Sequence, residues 1–520
     1  MNERAITTLE FDKILEQLAD YTLSGLGRRL VKKLRPMTEA AAISHSLQET
    51  SETRAILDRG GYPPLSGLAD ISETVEKLAR GAILQPAELL QIADLLRGSE
   101  RMKRYMEDKA DLTPLLHAYS FSITDLPEIE EVIIQSIEGG SVSSSASTKL
   151  KSIRSKIRTV ESRIQDKLNT LLSSAVYQNY LQELYVTVKD GRYTIPVKAA
   201  YKHKIDGMVI GASGSGSTVF LEPTAVRKLV NELQVLRSEE EAECYQVLAM
   251  LSGMAGEKLT ALRLNIETMA AYDFAFAKGK FSRQIDGCEP KLNNRRRISL
   301  ISARHPLLPK GCVPLNFAIG QSYHTLLITG PNTGGKTIAL KTVGLLTLMA
   351  QAGLHIPAEP GSEVAVFSEV WVDIGDGQSI EQSLSTFSSH MGNIAGILDR
   401  AGRNSLVLLD EIGTGTDPAE GAALGAAILD DLHAQGAVTV ATTHYGDLKR
   451  FSEAHPGFEN GMMEFDPLTL APLYHLVIGE AGSSNGIWIA ERLGLKPATV
   501  EKARQLVTKG TADCVKNSLQ

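Results

Sequence analysis

Eight residues, Gly330-Pro331-Asn332-Thr333-Gly334-Gly335-Lys336-Thr337, carry the pattern G-x-x-x-x-G-K-T. An apolar run, TLLIT, precedes them and a helical pattern, TIALKTVGLL, follows. In that setting the glycines let backbone N–H groups turn in on phosphate oxygens, and the helix N-terminus adds partial positive charge. Lys336 is predicted to reach the β- and γ-phosphates of a nucleoside triphosphate, and the Thr337 hydroxyl to ligate Mg2+. Downstream, SLVLLDEIGTGTDP puts Asp410 and Glu411 at the end of an apolar run. Asp410 can hold the metal there, and Glu411 can orient or deprotonate the attacking water. The alternative is an acidic pair that caps the next helix. AVTVATTH ends at His444, which can sense the γ-phosphate or the lytic water or can close a strand. Gln378 lies 42 residues after Lys336 and is read either as a link from metal and water to the rest of the protein or as an exposed loop residue. Ser385 and Thr386 open a helical stretch. They can cap it or, if another subunit supplies the phosphate, donate to it.

These residues need a scaffold. From about Cys288 short apolar runs alternate with helical stretches, the texture of an α/β domain. The first 135 residues or so read as mostly helical, and Glu138 to Ser147 as a loop of small polar residues. Leu150, Ile153, Ile157, Val160, Ile164, Leu168 and Leu171 then make one apolar stripe on a long helix. LYVTVKDGRYTIPVKA alternates about a Lys189-Asp190-Gly191-Arg192 hairpin signal, and from Leu221 a periodic stretch of some fifty residues returns to helix. A long helix out, a small β module and a long helix back describe an arm.

The 520 residues exceed one core, so two to four domains are expected. The net charge of −7 hides an asymmetry. Residues 149–205 hold 12 Lys/Arg against 4 Asp/Glu, a local +8 that leaves −15 elsewhere. Such an excess marks either a solvated helix face or a nucleic-acid contact. The candidates are Lys149, Lys151, Arg154, Lys156, Arg158, Lys189, Arg192, Lys198, Lys202 and Lys204. No apolar run reaches the roughly 20 residues that cross a bilayer, so no membrane partner is expected. The four cysteines are scattered, without a C-x-x-C pair, so a cytoplasmic location is expected.

TGPNTGGKT, STFSSHM, LLDEIGTGTDP and ATTHYGDL, in this order and spacing, resemble the MutS family of ABC-type ATPases. ISARHPLL resembles the motif that opens its ATPase domain, and LYHLVIGEAGSSNGIWIAERLGL its dimerising C-terminal region. The resemblance covers most of the chain. It implies a multidomain protein: a helical core (1–148), an outgoing lever helix and β-containing clamp (149–225), and returning lever helices (226–285). An ABC-type P-loop ATPase domain (286–480) and a helix-turn-helix-like dimerisation segment (481–520) would complete it. It also implies a homodimer with two composite ATP–Mg2+ sites, in which Ser385 and Thr386 reach the nucleotide of the other subunit. The chain opens directly on the helical core, with no room for the domain that inserts a Phe-x-Glu motif at a mispaired base. It therefore resembles the bacterial MutS-two branch. Members of that branch usually continue into a Smr domain, whereas this sequence ends at Gln520, as either a truncation or a short form would, so no nuclease activity is expected of these residues.

The expected function is an ATP-hydrolysing clamp on branched or duplex DNA that suppresses homologous recombination. A ribosome- or rRNA-binding ATPase that rescues collided ribosomes is the alternative, and an SMC-like structural ATPase a third. A second glycine-rich stretch, Gly211 to Thr218 (GASGSGST), imitates an ABC-type phosphate loop without its lysine. It is read as a turn-rich loop of the clamp whose exposed N–H groups could touch phosphate.

Overall fold

The computed structural model describes residues 2–65, 69–330, 335–375, 383–466, 472–480, 487, 490–491 and 494–506; the side chains of 383–386 and 465 fall outside that description. The N-terminal quarter is helical, as the periodicity predicts. It comprises α1 (Glu3–Thr8), α2 (Phe11–Ala19), α3 (Gly25–Lys33), α4 (Ala40–Asp58), α5 (Ser72–Ala79), α6 (Pro86–Glu107), α7 (Pro114–Ser120) and α8 (Pro127–Ser136). The polar stretch after α8 is more ordered than expected: β1 (Ile137–Glu138) and β2 (Ser141–Val142) pair antiparallel. Gly139 and Gly140, both at positive φ, make the two-residue turn between them.

Then come α9 (Thr148–Ser173), α10 (Ala175–Gln178), β3 (Thr187–Lys189), β4 (Arg192–Lys198), β5 (Gly207–Ala212), β6 (Thr218–Pro223), α11 (Thr224–Glu257) and α12 (Leu259–Gln284). Ser147 caps α9 by accepting from the Leu150 N–H. The predicted stripe from Leu150 to Leu168 is buried. The return to helix starts later than its periodicity suggests. Leu221, Glu222 and Pro223 end β6, with Pro223 as the N-cap, and Lys258 divides the fifty-residue stretch into α11 and α12. Pro223 has no N–H to give the ladder, and it stands at the last position of β6.

The remainder holds β7 (Lys291–Asn293), β8 (Ile298–Ala303), β9 (Leu315–Ile319), β10 (Thr325–Thr329), α13 (Lys336–Gln351), β11 (Glu363–Ala365), β12 (Glu369–Asp373) and α14 (Ser383–Leu398). It continues through β13 (Ser405–Leu409), α15 (Pro418–Ala434), β14 (Val438–Thr443), α16 (Gly446–Ala454), β15 (Phe458–Phe465) and β16 (Pro472–Ile478).

The chain forms two compact units. One holds residues 1–63, 106–119 and 270–520; the other holds 64–105 and 120–269. The expected 1–148 segment is thus divided between them. The reason is hydrophobic. Ile6, Leu9, Phe11, Ile14 and Leu18 are buried in the same core as Leu340, Val343 and Leu346 of α13. A β-carbon at Gly344 would fall 2.8 Å from Leu9 and 2.6 Å from Leu408, so the helix backbone lies close against both layers.

The larger unit's main sheet runs β12-β13-β14-β10-β15-β16 among the described residues, parallel except for β16. Its strands alternate between two cores. Leu326, Ile328, Leu406, Leu408, Val438 and Val440 face one; Leu327, Val407, Leu409 and Ala441 face the other. Both faces are covered, which is why these runs are continuously apolar. A second sheet, β7-β11-β8-β9, mixes parallel and antiparallel pairs.

In the smaller unit, α9 and α11 pack together against an antiparallel sheet, β3-β4-β6-β5. Ile153, Ile157, Ile164, Ile195, Val197, Leu221 and Val230 share their core.

Candidate nucleotide site

β10 delivers Gly330 at φ +137°, and α13 begins on Gly335 at φ +87°, both in the region only glycine enters freely. Pro331, Asn332, Thr333 and Gly334 lie outside the described residues. Lys336 is buried, and its Nζ donates to the Gly330 carbonyl at 2.8 Å, drawing the two ends of the loop together. Burial pulls its ammonium below the ordinary lysine range; the charges of Glu411 and Asp410 pull it back up.

Asp410 and Glu411 follow β13, and β14 separates β13 from β10. Thr442 of β14 spans that gap. The Thr337 hydroxyl donates to Asp410 Oδ2 (2.7 Å) and the Thr442 hydroxyl to Asp410 Oδ1 (2.6 Å). The Glu411 N–H donates to the Thr442 hydroxyl at 2.7 Å. Glu411 sits at φ +48°, a conformation that costs an L-residue roughly 1–3 kcal/mol and so must be held by its surroundings. His444 follows the last residue of β14. Partial burial and the Lys336 charge lower its pKa, while Glu411 opposes them.

The sheet order therefore collects Gly330, Gly335, Lys336, Thr337, Asp410, Glu411 and His444 at the carboxyl edge of the parallel strands. The oxygens of Thr337 and Asp410 are hard donors in direct contact, a set that fits Mg2+. Gln378 lies outside the described residues. Ser385 and Thr386 stand in the first turn of α14, with their side chains outside the description.

Two further features of this unit escape sequence reasoning. A cavity of about 350 Å³ opens against α13, lined by His305, Leu308, Val313, Ile338 and Tyr474 among others. A β-carbon at Gly335 would stand 2.8 Å from the Tyr474 ring, so loop and cavity wall touch. ISARHPLL and LYHLVIGE each supply part of this wall, yet nothing in either stretch announces their meeting. The second feature is Asp373, at the end of β12. Its carboxylate accepts from His390 and Asn393 of α14, both at 2.8 Å.

The MutS domain V family model matches residues 326–510. The endonuclease MutS2 of Pelotomaculum thermopropionicum is 44% identical over 509 residues, covering 98% of this chain and 65% of that protein. The endonuclease MutS2 of Symbiobacterium thermophilum is 46% identical over 510 residues, covering 98% and 64%. The chain belongs to the MutS2 family. It spans about 65% of the length of these relatives.

In this MutS2-family chain the ten basic candidates divide by their partners. Lys149 pairs with Glu243 (2.8 Å), Arg154 with Glu240 (2.7 Å) and Arg192 with the buried Glu222 (2.8 Å). Lys189 lies 3.4 Å over the Phe220 ring, and Lys198 donates to the Asn179 carbonyl. Lys151, Lys156, Arg158, Lys202 and Lys204 are exposed. Between residues 151 and 163 the exposed positions of α9 are Lys151, Ser152, Ser155, Lys156, Arg158, Thr159, Ser162 and Arg163, cations and hydroxyls only. The acid within that stretch, Glu161, is bonded to Arg237 at 3.1 Å. The Phe220-Leu221-Glu222 tripeptide is committed to the sheet, its glutamate buried against Arg192.

Proposed function

We propose that the chain binds and hydrolyses ATP with Mg2+ in a dimer with two composite sites, and that hydrolysis switches its grip on duplex or branched DNA. The carrying observation is the continuous Thr337–Asp410–Thr442–Glu411 hydrogen-bonded array beside buried Lys336. When bound, Mg2+ neutralises phosphate charge and polarises the scissile γ-phosphoryl group. Lys336 places a positive charge at the phosphates. Asp410 and Thr337 hold the metal. Glu411, fixed through its own N–H, takes the proton of the attacking water, and His444 orients that water from the neighbouring strand end. The apolar cavity beside Gly335 receives the base. Ser385 and Thr386 serve the partner's nucleotide, and residues 481–520 contribute to the dimer.

The exposed cations and hydroxyls of α9 between residues 151 and 163 support nucleic-acid phosphate as the second ligand, with Lys202 and Lys204 adding to them. The α9–α11 pair and its sheet then act as lever and clamp, and junction binding is the step through which recombination would be restrained.

Glu411→Gln keeps the side chain's shape and removes the base. It is expected to bind ATP normally and to lose about a hundred- to ten-thousandfold in turnover, measured as phosphate release. Normal turnover would remove Glu411 from the reaction. Co-sedimentation with four-way junction DNA and with ribosomes tests the partner. Retention by ribosomes alone would overturn the DNA reading in favour of ribosome rescue.

A further inference from the structure

We infer that His390 is a positioning residue for the half of the ATP site that α14 offers to a second subunit. The inference rests on the composite-site reading above. Asp373 is nearly sealed from solvent, its side chain 3% exposed. Its carboxylate takes His390 Nδ1 at 2.8 Å and Asn393 Nδ2 at 2.8 Å, with Arg4 of α1 at 3.7 Å. Asn393 also donates to the Val372 carbonyl at 3.0 Å. His390 and Asn393 are three residues apart, so they share one face of α14 and grip a single strand end.

The carboxylate and the backbone of Asp373 serve different neighbours. Its carbonyl accepts from the Asp410 N–H at 2.8 Å. The Asp410 side chain is held separately by Thr337 and Thr442. The bonds to the Asp373 carboxylate thus fix α14 and α1, not the oxygens read as metal ligands. Removing His390 frees the helix and leaves the subunit's own array standing. The anchor lies four to five residues beyond Thr386 and Ser385, about 6–8 Å along the helix. That is close enough for a loosened anchor to misplace the turn that carries both hydroxyls. Small misplacements of this kind cost as much as a hundredfold in rate.

The consequence is a defect in trans. His390→Ala in the full chain is expected to bind ATP normally and to lose about tenfold in kcat with KM little changed. His390→Gln, which restores an N–H toward Asp373, should recover most of that loss. Mixing decides the assignment. Glu411→Gln subunits lack the base but keep α14, while His390→Ala subunits keep the base. A mixed dimer then contains one intact composite site, and equal mixing restores about a quarter of wild-type turnover by random pairing. Failure of that mixture to exceed the sum of its parts, while a Ser385→Ala and Glu411→Gln mixture does exceed it, would overturn the role of His390 alone. Failure of both mixtures would instead overturn the composite-site reading on which it rests. Unaltered kcat in His390→Ala would overturn the proposal directly.

Discussion

Two glycine-rich stretches of this chain look alike on paper, Gly211 to Thr218 and Gly330 to Thr337, and fold into opposite things. The second runs from the end of a buried parallel strand to the N-terminus of α13. The first joins β5 to β6 in an antiparallel hairpin. Three of its N–H groups turn inward: Ser213 N–H donates to the Thr218 carbonyl, Gly216 N–H to the Ser213 carbonyl and Thr218 N–H to the Ser213 hydroxyl. Those three N–H groups, read from the sequence as open to phosphate, are thus taken up by the hairpin itself. Glycine content makes a turn possible in both places. The element after the turn, a helix or a strand, decides whether donors converge on a ligand or on the chain itself.

The sharpest way to break this comparison is to add one methyl group to each loop. Gly335→Ala meets Tyr474 at 2.8 Å and must hold φ +87°. A strain of about 1–3 kcal/mol should weaken ATP binding roughly ten- to a hundredfold, read by nucleotide titration. Gly214→Ala meets nothing within 4 Å and should leave ATP affinity unchanged. Equal effects at the two sites would mean the hairpin holds nucleotide after all.

A smaller effect should separate the two units by ligand. Lys151→Glu with Arg158→Glu reverses two exposed cations of α9. DNA affinity should fall about tenfold at physiological salt, and the log–log salt slope by about two. ATP turnover without DNA should not move. Loss of turnover without any change in salt slope would return those cations to the role of a solvated face.

The gentlest test is acid. Burial lowers His305 and His355 to about 4. Both lie in the unit with the phosphate loop, whereas His203, in the other unit, is exposed. A histidine whose folded pKa is depressed stabilises the fold above its unfolded value near 6.5, and that contribution is lost as pH falls toward 4. Between pH 6.5 and 4 the nucleotide-binding unit should therefore lose stability before the helix-and-sheet unit. Hydrogen exchange resolved by segment would show it. His355→Gln, which titrates nowhere in that window, should flatten the loss. A uniform loss across both units would point to carboxylates instead.

Much of this was legible in the residues. The loop, the acidic pair after β13, the histidine after β14 and the α9 stripe each depend on local spacing, and spacing is what a sequence records. The boundaries were less so. Pro223 reads as a helix start or a strand end with equal ease, and the β6 ladder chose the strand. The polar residues after α8 read as a loop until two glycines at positive φ closed a small hairpin.

The sequence by itself determined which residues have the chemistry for phosphate and metal, because lysine, threonine and carboxylates at those offsets carry it wherever they fold. It also determined that one helix would be basic. Only the tertiary structure decided which cations are spoken for. Arg154, Lys149 and Arg192 met acids 30 to 94 positions away in the chain. Only the tertiary structure, too, seated the first helices against α13 and brought His390 onto Asp373. Those meetings come from burying apolar faces and satisfying buried charge, and both are set by distances that the order of residues does not contain.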